Sequence, residues 1–214
     1  MPTLNYAHRG ARSLAPENTR PAIRTAWEIG ADAVEVDIQV TADGQLVLFH
    51  DRLPDRTTNV AECYPERAGH PLSSFTLEEL RQLDAGSWYL DTDPFGQIGA
   101  GTVTIAELEQ FQDARIPTLE ELLNEAVNQR RRLNLELKQP APPLADYPLA
   151  QQTLARLEGL GDFRSLVSIS SFVHSYLEVV VALAPDIEVN GLIGANRFRG
   201  NVWGDFRWPV YNAN

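Results

Sequence analysis

From Ala33 to Val40 the chain alternates without a break. Val34, Val36, Ile38 and Val40 fall on one side of an extended backbone, and Glu35, Asp37 and Gln39 fall on the other. The pattern returns from Leu133 to Lys138, where Leu133, Leu135 and Leu137 oppose Asn134, Glu136 and Lys138. Such strands need a packed layer against their apolar face, and helical patterns supply it. One runs from Arg20 to Ile29 and stops at Gly30; others cover about 119–131, 149–157 and 174–184. Further strands are expected near 4–8, 45–50, 166–170 and 187–193, with a weaker one near 207–211. Asp43-Gly44 marks a tight turn between the strands 33–40 and 45–50. Strands alternating with helices predict an α/β fold on a parallel sheet.

Residues 52–115 break this alternation and are expected to be an insertion on a single domain spanning 1–214, too loop-rich for a core of their own. Thr76 with Glu79, and Thr118 with Glu121, have the spacing of capping boxes and mark two helix starts. The run 91–101, rich in Gly, Asp and Pro, is read as a loop.

Composition excludes several classes. The net charge of −11 argues against a nucleic-acid or anionic-membrane surface. No apolar run approaches the roughly 20 residues of a membrane span, and Met1–Asn5 lacks the pattern of a signal peptide. A soluble, cytoplasmic protein is expected. The lone Cys63 cannot form an internal disulfide. Of the 18 cationic side chains, 17 are arginine and the only lysine is Lys138, on the polar side of a strand beside Glu136.

The residues able to carry chemistry gather at strand ends, where α/β barrels place their active sites. Glu35 and Asp37 share a strand face, and Glu136 lies on the polar face of another strand. Carboxylates placed on such strands either pair with cations or bind a hard metal ion, Mg²⁺ or Ca²⁺ in preference to zinc. Arg9 and Lys138 are candidates for the pairing, and equally for gripping a phosphate. His8 and His50 each end a strand and are suited to general acid–base work. His70, His174, Cys63 and Trp88 are read as structural. Carboxylates, two cations and two histidines in one mouth point to cleavage of a phosphate ester.

His8-Arg9-Gly10, Pro16-Glu17-Asn18-Thr19, Glu35-Val36-Asp37 and His50-Asp51 resemble the signature of the glycerophosphodiester phosphodiesterase family. Arg56-Thr57-Thr58, Leu83-Asp84-Ala85-Gly86, Ile116–Glu121, Glu136-Leu137-Lys138 and Ser170-Ser171-Phe172 continue it in the family's order, so that the resemblance covers about 6–193. It implies a TIM (β/α)₈-type barrel that hydrolyses glycerophosphodiesters to glycerol 3-phosphate and an alcohol. It also implies one divalent cation on Glu35, Asp37 and Glu136, His8 and His50 as the acid–base pair, Arg9 and Lys138 on the phosphate, and Glu17 and Asn18 as supports. A small-molecule glycerophosphodiester is the implied partner. The family's late strand has no counterpart here: Trp203 and Trp208 do not stand in its pattern, and Pro209–Asn214 reads as a strand cut short. The C-terminal strands of the barrel are therefore expected to be missing, which leaves a barrel that only binds phosphodiesters as an alternative. A lysophospholipase D-like enzyme of the same family is another.

Overall fold

A computed structural model of the chain describes residues 3–112 and 114–194, and the backbone of 210–212. Seven strands make one sheet: β1 (Tyr6–His8), β2 (Ala33–Val40), β3 (Leu46–Leu48), β4 (Arg132–Leu137), β5 (Val167–Ser171), β6 (Glu188–Ile193) and β7 (Val210–Asn212). The order is β1-β2-β4-β5-β6-β7 with every neighbour parallel, while β3 folds back antiparallel on the far end of β2. The sheet curls into half a barrel. Six parallel strands are thus present among the described residues, against the eight of a full barrel. The weaker strand expected near 207–211 is β7, shifted to Val210–Asn212. Trp203 and Trp208 lie outside the described residues.

The helices α1 (Arg20–Glu28), α6 (Leu119–Gln129), α7 (Leu149–Leu157) and α8 (His174–Leu183) cover the apolar face of the sheet. Ile23 and Trp27 of α1, Leu122 and Leu123 of α6, Leu154 and Leu157 of α7 and Leu177 of α8 pack in one core with Val34, Val36, Ile38, Leu133, Leu135 and Ile169. The opposite, concave face is polar. Register places Glu35 beside Asn134, Asp37 beside Glu136, and Glu136 beside Ser170. The alternation read in the sequence therefore divides a helix-packed side from a side that holds the chemistry.

The insertion contains four short helices, α2 (Val60–Cys63), α3 (Leu77–Leu80), α4 (Ser87–Thr92) and α5 (Ile105–Phe111). Capping boxes start α3 and α6 as the Thr–x–x–Glu spacing predicts. A third, Thr104 with Glu107, starts α5, which the sequence reading passed over; α4 also reaches into the stretch read as loop. The insertion's apolar residues form two clusters beside the main core, each shared with residues outside the insertion. Phe75, Leu80 and Leu83 pack with Val47 and Phe49, while Tyr89 and Phe111 pack with Ala15 and Ala22. The Tyr89 hydroxyl donates to the Ser13 carbonyl at 2.6 Å, which ties α4 to the loop after β1.

That loop turns sharply at Gly10, which has φ +76°, and a Cβ there would lie 2.7 Å from the Ala22 carbonyl carbon of α1. Gly10→Ala combines left-handed strain with a backbone clash and should cost about 2–4 kcal/mol of stability, measured by urea unfolding.

Candidate active site

Three carboxylates converge on the concave face. Glu35, Asp37 and Glu136 are buried, and one oxygen of each lies within 4.8 Å of the other two. Glu35 and Asp37 come together because they are two residues apart on β2, and Glu136 joins them because β4 pairs with β2 in register.

Asp37 is fully buried. Its Oδ2 accepts from the Asn18 amide at 2.8 Å and lies 3.5 Å from Arg9 Nε, and its Oδ1 lies 3.3 Å from Lys138 Nζ. Lys138 also donates to Glu136 at 2.7 Å. The backbone N–H of Arg9 donates to Glu35 Oε2 at 2.8 Å. Arg9 reaches Glu35 and Asp37 at once because its backbone is left-handed, with φ 59°. Asn18 is left-handed as well, with φ 56°, and its side-chain oxygen accepts from the Asp37 N–H at 3.1 Å. Two non-glycine residues held in this region mark a loop whose strain the surrounding contacts sustain.

The cluster is acidic even after these pairings. Glu17 accepts from Arg9 at 3.0 Å and from Arg56 at 2.6 Å, and Arg56 also pairs with Asp51, so five carboxylates face the three cations Arg9, Arg56 and Lys138. The remaining two negative charges equal the charge of one divalent ion. Burial, then the neighbouring Asp37 and Glu136, push the Glu35 carboxyl well above the usual range. Burial and Asp37 raise Glu136 too, against the pull of Lys138. Burial opposes the charge on Lys138, but Asp37 and Glu136 raise its pKa overall. Glu35 Oε1 is buried with no hydrogen-bond partner among the described residues. An orphaned carboxylate oxygen in an all-oxygen cluster with two surplus charges fits a hard divalent cation.

The two histidines have different surroundings. His8 Nε2 lies 3.8 Å from Glu35 Oε2. Burial, then the Arg12 and Arg9 charges, lower its pKa to about 4, so the ring is neutral at pH 7. His50 Nδ1 pairs with Asp51 Oδ1 at 2.5 Å, which leaves Nε2 as the nitrogen available to a ligand. Although burial works the other way, hydrogen bonds from His50 and Arg56 hold the Asp51 carboxyl well below the usual range. Arg56 bridges Asp51 at 2.5 Å and Glu17 at 2.6 Å, so a continuous chain of charges joins His50 to Arg9 and Asp37.

All nine residues singled out in the sequence meet at this site. Three further ones do so as well. Asp51 stands in the quoted motif but carried no expected role. Gln39 shares the polar face of Glu35 and Asp37; its amide donates to the carbonyls of Phe49, His50 and Asp51 and so fixes the segment that bears His50. Arg56 comes from the insertion, where no periodicity signals its position. Trp88, read as packing, has the Arg56 guanidinium 5.7 Å from its ring centre. His174 stays structural, bonded to the Leu192 carbonyl at 3.0 Å.

Residues 8–204 match the model of the glycerophosphoryl diester phosphodiesterase family. A glycerophosphodiester phosphodiesterase of Caldanaerobacter subterraneus is 36% identical over 189 residues, which is 88% of this chain and 66% of that protein. The mouse glycerophosphoinositol inositolphosphodiesterase is 41% identical over 133 residues, 62% of this chain and 24% of that protein. The chain thus spans less than two thirds of either relative. Among solved structures, an Oleispira antarctica phosphodiesterase in complex with the product sn-glycerol-3-phosphate superposes with a TM-score of 0.72 at 29% identity, covering 95% of this chain and 70% of that one. With its fold, its ordered motifs and its acidic mouth in agreement with the family model, the chain belongs to the glycerophosphoryl diester phosphodiesterase family.

Proposed function

We propose that this chain hydrolyses glycerophosphodiesters to glycerol 3-phosphate and an alcohol. The observation that carries the reading is the buried carboxylate triad, with its orphaned Glu35 oxygen, set beside two histidines in unlike environments. Glu35, Asp37 and Glu136 hold one divalent cation, Mg²⁺ or Ca²⁺, which when bound supplies Lewis-acid polarisation of the phosphate.

The protein's own groups do the rest. Lys138 has three ammonium protons and uses two on Asp37 and Glu136, leaving one for a phosphate oxygen. Arg9 commits its Nη1 to Glu17 and turns Nε toward Asp37, and the remaining edge of its guanidinium faces the ligand. Glu17 and Asn18 hold these cations and Asp37 in place. His8, neutral at pH 7, accepts the proton of the attacking hydroxyl, either water or the neighbouring glycerol hydroxyl. His50, whose Nδ1 is held by the Asp51 carboxylate, gives a proton from Nε2 to the departing alcohol oxygen.

His8→Ala and His50→Ala should each lower kcat by about 10²–10⁴-fold with folding intact. The roles separate with a p-nitrophenyl diester of glycerol, whose leaving group needs no proton. His50→Ala should recover most of its activity on that substrate and His8→Ala should not. Near wild-type turnover in both variants would overturn the assignment. Release of glycerol 3-phosphate should stop in EDTA and return with Mg²⁺ or Ca²⁺; a folded sample that binds the cation without turnover would favour the binding-only alternative.

Metal-free stability should show the sign of the carboxyl shifts. A carboxyl whose pKa is raised by folding favours the fold below its ordinary value of about 4.5 and loses that contribution as pH rises through the raised value. In EDTA the thermal midpoint should therefore fall as pH increases above about 4.5, and Glu35→Gln should flatten the slope. A midpoint that rises over this range in EDTA would contradict the charge balance of the cluster.

A further inference from the structure

Two guanidiniums of the site's loops rest on aromatic rings of the insertion. Beside His50, Arg56 lies over Trp88 and is neutralised by Asp51 and Glu17. On the loop after His8 and Arg9, the Arg12 N–H donates to the Gly10 carbonyl at 2.8 Å, the Gly10 N–H donates to the Glu35 carbonyl at 3.2 Å, and Arg12 lies over Phe95 with its guanidinium carbon 5.7 Å from the ring centre. Arg12 differs from Arg56 in one respect: among the described residues it has no ion-pair partner.

The seat for Arg12 is built from both sides. Tyr89 anchors α4 to Ser13, next to Arg12 in the chain. The loop that follows α4 is held by Asp93, whose carboxylate accepts from the Ile98 and Gly99 amides at 3.1 and 2.9 Å. Asp93 is thereby committed to its own loop, while Phe95, 42% exposed, stands out from that loop under Arg12. A quaternary ammonium is usually recognised on aromatic faces. Here Phe95 and Trp88 already carry guanidiniums, and a second cation would meet the first.

We propose that Arg12, seated on Phe95, is a specificity-determining residue that favours glycerophosphodiesters with an anionic group on the alcohol and disfavours quaternary-ammonium alcohols. The inference deepens the phosphodiesterase reading and rests on it.

The test compares kcat/KM for glycerophosphoserine and glycerophosphocholine. The wild type should favour the serine ester. Arg12→Gln should reduce the serine-to-choline ratio by about fivefold, the scale of one partly exposed charge contact, and Arg12→Lys should retain most of it. Raising ionic strength should shrink the ratio in the wild type and leave it nearly unchanged in Arg12→Gln. A simple packing role for Arg12 would not produce that salt dependence. The wild-type salt response decides the matter even if Arg12→Gln fails to fold. Turnover that favours choline, or a ratio that ignores both salt and the substitution, overturns the inference and leaves the phosphodiesterase reading standing. No turnover of either ester with Mg²⁺ or Ca²⁺ overturns both.

Discussion

The burial of the Asp37 carboxylate is the constraint from which the rest of the polar architecture follows. A charge out of water must be surrounded by donors or by opposite charge. Those groups reach Asp37 from separate parts of the chain: Arg9 after β1, Asn18 before α1, and Lys138 after β4. Meeting that need sets the left-handed turns at Arg9 and Asn18 and brings β1 and β4 to either side of β2. The same groups leave Glu35 under-compensated. The site is thus organised around a deficit of positive charge that the protein does not fill itself.

The insertion contributes a charged side chain to the mouth. Arg56 takes part in the ion-pair chain behind His50, and Gln39 pins the same segment from the strand side. Two aromatic rings, Trp88 and Phe95, support cations at its rim. The insertion has no independent core because its apolar residues are spent on β3 and α1. Its position is therefore tied to the elements that carry His8 and His50, and motion of one would be transmitted to the other.

Much of this was legible before the structure. The period-2 runs at 33–40 and 133–138 place Glu35, Asp37, Glu136 and Lys138 on one face because strand geometry allows nothing else. Gln39 obeys the same rule, yet its neutral amide drew no attention beside two acids. The α5 start was readable from Thr104 and Glu107, and the glycine-rich run before it obscured the signal. Arg12 was not legible, and Arg56, although it stands in a quoted motif, carried no expected role. Both sit in irregular segments, where position is decided by tertiary packing and no repeat reports it. The seven strands lie where the sequence reading put them, with β7 shifted by a few residues, because each carries its own local pattern.

Lys138 gives the site an unusual chemical address. It is the only lysine in the sequence, and it lies among the carboxylates of the acidic mouth. Any amine-directed reagent, whether an acylating label, a cross-linker or a resin for immobilisation, has this one ε-amino group to modify besides the chain's α-amine. Attachment by that route would block the position proposed for the phosphate, and protection from it would report that the position is filled.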